Sequence, residues 1–404
     1  MGDLIFDPSN PAQMANPYPA LARLRAEDPA HWHPGLKGWM ITRYADVRDI
    51  LLGDALSAER LLSFYEKLPS EDAAKLREII HYLNLWIAFR DPPDHTRMRR
   101  IMRHAFNGRA MAAIENNVEP VVELLLSRLE GKGRIDFIED YALQVPAFVI
   151  MDLLDIPRDR LDEFKRWSDD MAVFIGGARN ARDKYERAER GCREMAQFFR
   201  DLIVDLRASP REGFVMDLIN ARDDGDALND EEIIATCILV LFAGHETTTN
   251  LIGNCALTFL RHPDQLERFL AAPDLTASAI EEVMRFDGPS MGLVRVVGKE
   301  HELHGKTLRE GERVFTMITG ANRDPEVFES PDVFDIARTP NRHLTFGQGI
   351  HMCIGARLAR EEGKLAVRRF FERFPHAILT EETPEWRDAM VPRGLTRLAL
   401  ELEG

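Results

Sequence analysis

Residues 346–355 read FGQGIHMCIG, and the helical-looking stretch ARLAREEGKLAVRRFFERF follows directly. Gly347 and Gly349 permit a tight turn and a close approach of the backbone to a flat partner. Cys353 stands at the mouth of the following helix, with Gly355 two residues on. A thiolate there meets unpaired N–H groups and the positive end of the helix dipole, which stabilise the anion. The sequence spends backbone freedom on presenting one cysteine.

The rest of the chain sets bounds on what that cysteine serves. It has 404 residues, 45% of them hydrophobic and 29% charged, an ordinary composition for a soluble globular protein. Lys and Arg total 52 and Asp and Glu total 67, a net charge of -15, so wrapping nucleic acid is a poor fit. The opening MGDLIFDPSNPAQ has no basic stretch followed by an apolar one, so no signal peptide is expected. The longest apolar run, CILVLFAG at 237–244, is far short of the ~20 residues of a membrane span. The expectation is a soluble, cytoplasmic protein without a membrane anchor. Cys192, Cys237 and Cys255 lie in helical sequence and read as small buried hydrophobes, with neither zinc spacing nor a disulfide framework.

Helical periodicity dominates, as at 112–129 and 188–208. Strand-like segments are few: GWMITRY at 38–44, several short strands with Gly turns across 293–320, and TRLALELE near the end. The predicted fold is a single domain over 1–404, mainly α (α+β), with a large helical part and a small β-rich region. The loop FRDPPDH precedes a segment carrying Arg97, Arg99, Arg100 and Arg103 within two turns. That is either a solvated face or a site for an acidic partner.

Residues 228–265 predict one long buried helix. Asn229 is the N-cap, Glu232 completes a capping box and Pro263 is the stop. Its middle, AGHETTT, breaks the pattern with Gly244, Thr247, Thr248 and Thr249, residues of poor helix propensity, and with the polar His245 and Glu246. One reading is a kinked core helix with hydroxyls bonded back to i−4 carbonyls. The other is proton delivery, with Glu246 exchanging protons and Thr247 bonding a ligand.

Three uses of Cys353 follow from its setting: nucleophile, redox thiol or metal ligand. His351 is a base only two residues away, and no resolving thiol is near. An axial thiolate on heme iron fits the glycines, which clear space for a macrocycle, and Phe346, an apolar shield beside the sulfur. FGQGIHMCIG resembles the heme-binding loop of the cytochrome P450 family, F-G-x-G-x-[HR]-x-C-x-G, at every defined position. AGHETT at 243–248 resembles that family's oxygen-activation motif. EEVMRF supplies Glu282 and Arg285 of E-x-x-R, FDIAR supplies Arg338, and DPPDHTRMRR is similar to the heme-contacting helix. The order and spacing of these five blocks match as well, and the resemblance is closest to soluble bacterial members.

The resemblance implies heme b ligated by Cys353, lying between the long central helix and the helix after the cysteine loop. It implies His95, Arg99, Arg295 and His351 at the propionates. Phe346, Gly347, Ala243 and Gly244 would line the cofactor, and Glu282, Arg285 and Arg338 would form a buried structural network. Glu246 and Thr247 would deliver protons in a monooxygenase that inserts one atom of O2 into a small, largely apolar substrate. By family position the substrate walls are Leu85, Trp86 and Ile87; Met171 and Phe174; Val240; Ser290, Met291, Leu293 and Val294; and Met390 with Val391. Gly176 and Gly177 would hinge a lid, with Arg179 and Arg182 beside them. No flavin or iron–sulfur sequence is present, so an acidic ferredoxin or a flavodoxin is implied, docking near Arg97, Arg100, Arg103, Arg357 and Arg360. The alternatives are a peroxygenase driven by H2O2, a heme-thiolate ligand sensor without turnover, and a heme-free helical scaffold.

Overall fold

The long helix runs unbroken from Asp230 to Arg261, including AGHETTT. At ~1.5 Å per residue its 32 residues extend ~48 Å. The predicted capping box is present: the Glu232 N–H donates to Asn229 Oδ1 at 2.9 Å, and the Asn229 N–H donates to Glu232 Oε2 at 2.9 Å. Pro263 opens the next helix, Pro263–Ala271, because proline suits a first turn that lacks acceptors for its N–H. The computed structural model describes residues 6–66, 68–106, 108–175, 183–380, 384–387 and 389–402.

The chain folds as two units, and the long helix passes from one to the other at Glu246/Thr247. The first unit comprises Met1–Ser57, Val122–Gln144 and Thr247–Gly404 and holds the β-structure. Its main sheet has the strand order Ala30–His33, Gly38–Ile41, Arg313–Thr316, Leu293–Val297, Leu56–Ser57. All pairs are antiparallel except Gly38–Ile41 with Arg313–Thr316. Trp39, Ile41, Val297, Val314 and Ile318 pack in the core beneath it. The predicted β region at 293–320 divides into Leu293–Val297, His301–Leu303, Lys306–Leu308 and Arg313–Thr316, with a hairpin turn at His304 (φ 51°) and Gly305 (φ 71°). TRLALELE splits into Leu395–Arg397 and Ala399–Glu401, which join different sheets. Helices Thr276–Asp287 and Ala356–Arg373 complete the support of the cysteine loop.

The second unit, Ala58–Val121 with Val145–Glu246, is helical. Leu161–Ile175 lies along Lys184–Ala208. Asp170, 2% exposed, ties the two by accepting from Arg187 at 2.9 Å and Arg190 at 2.7 Å. Gly191 leaves the space that Asp170 fills. Among the described residues, no helix is long and apolar enough to cross a membrane. Gly176, Gly177, Arg179 and Arg182 lie outside the described residues.

Candidate active site

The cysteine loop is built within the first unit. Gly347 and Gly349 both have φ 69°, in the left-handed region that glycine adopts without cost. A Cβ at position 349 would also lie 2.7 Å from the Leu51 carbonyl oxygen. The Gly347 N–H donates to the Leu344 carbonyl, and the Cys353 N–H to the Phe346 carbonyl, both at 2.8 Å. Cys353 is exposed, whereas Cys192, Cys237 and Cys255 are buried, and burial pushes those three thiols up. His351 ends the short turn Gly349–His351 and is half-buried.

Beneath the loop, Glu282 and Arg285 are 0% and 1% exposed. Arg285 donates to both Glu282 oxygens at 2.8 Å, and Arg338 donates to Glu282 Oε1 at 3.1 Å. Asn341 Nδ2 and the Asp335 N–H add two further donors at 3.1 Å. Carboxylate and guanidinium are thus satisfied in the core, the condition for holding charges there. Arg285 also donates to the Asn322 carbonyl at 3.0 Å. Asn322 then accepts from the Leu344 N–H at 2.8 Å and donates to Thr345 Oγ1 at 3.0 Å. An unbroken path of hydrogen bonds joins the ionic network to the segment that enters the loop. Asn322 was not legible in the sequence, since it lies in a short helical turn with no motif around it.

A second cluster flanks the loop. Glu281 accepts from Arg360 at 2.6 and 2.9 Å and meets His343 Nε2 at 3.0 Å. Burial works to raise the Glu281 carboxyl, but His343 and Arg360 outweigh it and hold the group down at about 2. The Arg360 guanidinium lies 4.3 Å from the centre of the Phe346 ring.

Between Glu232 and Phe259 the central helix is buried except at Leu239, Ala243, Gly244 and Thr247. Their spacing of four, one and three places them on one face. Glu246 and His245 are 3% and 2% exposed. His245 Nδ1 meets Ser168 Oγ at 3.3 Å, and its ring stands edge-on to Phe164. Gly244 has a packing reason as well: a Cβ there would lie 2.6 Å from Ile150 Cδ1.

In the second unit, His95 is 1% exposed in the first turn of Asp94–Phe106, with Arg99 one turn on and half-buried. The neighbouring cations turn to their own chain. Arg97 pairs with Glu232 and Asp226, and Arg100 pairs with Asp223. Arg103 remains exposed. Trp86, buried, stacks between Phe89 (5.8 Å) and Phe242 (5.9 Å). Ile87, Met171 and Val240 are buried, and Leu85 and Phe174 are half-buried.

In the first unit, Arg295 is 7% exposed on Leu293–Val297 and donates to the Val294 carbonyl at 3.0 Å. Ser290, Leu293, Val294, Met390 and Val391 are partly accessible. Met291 is fully buried and packs in a core cluster with Phe6, Leu21 and Met40.

Among the described residues, no group of three or more His, Cys, Asp or Glu side chains is arranged to hold a bare metal ion. One exposed thiol beside two left-handed glycines supplies a single ligand. That donor set suits a metal whose other ligands come with a planar cofactor.

The family profile described as Cytochrome P450 matches residues 48–272 and 270–399. The biotin biosynthesis cytochrome P450 of Bacillus subtilis is 35% identical over 376 residues, which are 93% of this chain and 92% of that protein. The vitamin D(3) 25-hydroxylase of Pseudonocardia autotrophica is 37% identical over 389 residues, 95% of this chain and 93% of that one. Among solved structures, P450BioI in complex with hexadec-9Z-enoic acid ligated acyl carrier protein superposes with a TM-score of 0.89 at 32% identity. That match covers 97% of this chain and 99% of the other.

Proposed function

The chain belongs to the cytochrome P450 family of monooxygenases, and we propose that it binds heme b through Cys353 and hydroxylates or O-demethylates a small, largely apolar organic substrate. The observation that carries this reading is the exposed Cys353, presented by two left-handed glycines and braced from the buried Glu282–Arg285–Arg338 network. When bound, the heme supplies O2 activation, with electrons from outside the chain.

His95, Arg99, Arg295 and His351 would hold the propionates. Phe346 and Gly347 would line the cofactor beside Cys353, and Ala243 and Gly244, on the accessible face of the central helix, would line it as well. Glu246 would exchange protons with solvent, and the Thr247 hydroxyl, on the accessible face of the central helix, would offer a hydrogen bond there. Leu85, Trp86, Ile87, Met171, Phe174 and Val240 give apolar contacts, as do Leu293, Val294, Met390 and Val391 beside Ser290. Met291 contributes from the core, behind these. Relatives named for biotin biosynthesis and for vitamin D(3) hydroxylation, and one bound to a fatty acyl carrier, support an apolar substrate. Family members use redox partners, and here an acidic ferredoxin would meet the exposed Arg103, while Arg97 and Arg100 pair with acids of their own chain.

Fatty acids and steroids are titrated for a spin-state shift, and the best ligand is then turned over with ferredoxin, its reductase and NADPH. Thr247→Ala and Glu246→Gln are expected to keep consuming reductant while product per reductant falls ~10²-fold, with peroxide released. Full turnover by H2O2 and none with ferredoxin would favour the peroxygenase reading, and no turnover with any ligand the sensor.

A further inference from the structure

Family position puts Arg360 among the partner-facing cations, but its contacts turn inward. Its Nε and Nη2 donate to the two oxygens of Glu281, at 2.6 and 2.9 Å. Glu281 Oε2 also meets His343, whose side chain is only 4% exposed. The guanidinium stacks 4.3 Å from the centre of Phe346, and the His343 ring is 6.1 Å from that same ring. The segment entering the cysteine loop and the helix Ala356–Arg373 therefore meet at the phenylalanine that begins FGQGIHMCIG, and Glu281 of Thr276–Asp287 holds both. The hydrogen bond to Glu281 raises the guanidinium above its ordinary value against the pull of burial, and Cys353 acts in the same direction. Arginine fits this place for a geometric reason: its planar fork binds a carboxylate with two parallel bonds while its face lies on an aromatic ring.

Resting on Cys353 as the heme ligand, we propose that Arg360, fixed in place by Glu281 and His343, is a positioning residue that sets the electron donation of Cys353 to the iron. Its cation stabilises negative charge on the sulfur, which weakens donation, and the Glu281 carboxylate opposes it in part. Phe346, under the guanidinium, ties Arg360 to the cysteine loop itself. Groups around a metal-bound sulfur tune a centre in this way without touching the metal.

The test is a redox titration of the heme-loaded protein, since reduction potential reads charge near the thiolate independently of turnover. Arg360→Leu removes a positive charge and is expected to move the ferric/ferrous potential in the negative direction. Glu281→Gln removes a negative charge and is expected to move it in the positive direction. Arg360→Lys keeps the charge and is expected to stay close to wild type. All three should retain the carbon monoxide band of a thiolate-ligated heme. A purely structural role would loosen the loop in every variant, so shifts of the same sign, or no shift, would overturn the proposal. Absence of the thiolate band in the wild type itself would instead overturn the heme-thiolate reading.

Discussion

Gly394 has room for a hydrogen and nothing larger. A Cβ there would lie 1.9 Å from Oδ1 of Asn250, 2.2 Å from its Cγ and 2.8 Å from its Cβ. The overlap reaches the root of a side chain that is 1% exposed, so rotating its tip offers no escape. Gly394→Ala is expected to cost ~1–3 kcal/mol or more in thermal unfolding. Gly298→Ala is the control, because its nearest contact would be an ordinary 3.4 Å. This demand sits three residues past Val391, whose segment is anchored by Arg393. That side chain donates to Asp287 at 2.7 Å and to the Met14 carbonyl at 2.6 Å. At the same scale, Glu246, Thr247 and Cys353 were legible as candidates because each lies in a short local motif. The packing reason for Gly244 was not, since Ile150 stands nearly a hundred positions away.

Among elements, the helix Thr276–Asp287 carries two adjacent carboxylates with different fates. Glu282 turns into the core against Arg285 and Arg338, and Glu281 turns toward Arg360 and His343. Only the first was legible, through its E-x-x-R spacing. A pair formed across separate segments leaves no local pattern. The same limit applies to Arg97 and Arg100: their density in one helix was visible, but their acidic partners at 223–232 were not. Helix boundaries fared better, because Asn229 and Glu232 form a cap from contiguous sequence. Glu281 also has a pH consequence. Its folded value lies near 2, below the ordinary 4.5, so the stability it contributes is present above pH ~4.5 and is lost as pH falls toward 2. Wild type should therefore lose stability across that window in acid unfolding followed by circular dichroism. Glu281→Gln should show a shallower loss, and parallel curves would contradict the assignment.

For the molecule as a whole, one buried acid runs against the general charge. Glu362, 1% exposed on Ala356–Arg373, is pushed well above the ordinary 4.5 by burial, and its Oε2 has no hydrogen-bond partner among the described residues. A raised carboxyl is protonated in the folded state while its unfolded counterpart is ionised, so stability falls as pH rises above ~4.5. Glu362→Gln removes that dependence. It is expected to gain steadily on wild type in stability as pH is raised from 5 to 7. An unchanged difference across that range would show that Glu362 ionises in the folded protein. The sequence identified the mainly helical fold and its motif blocks because these are local and ordered along the chain. It did not reveal which acids are buried without a cation, since that depends on what the whole chain brings around them.

The central claim is that Cys353 ligates heme as a thiolate. The most direct measurement is the absorption spectrum of the purified, dithionite-reduced protein under carbon monoxide, for wild type and Cys353→Ser. A strongly red-shifted Soret band that disappears in the variant is expected. No heme, or an unshifted band typical of histidine ligation in the wild type, would contradict it.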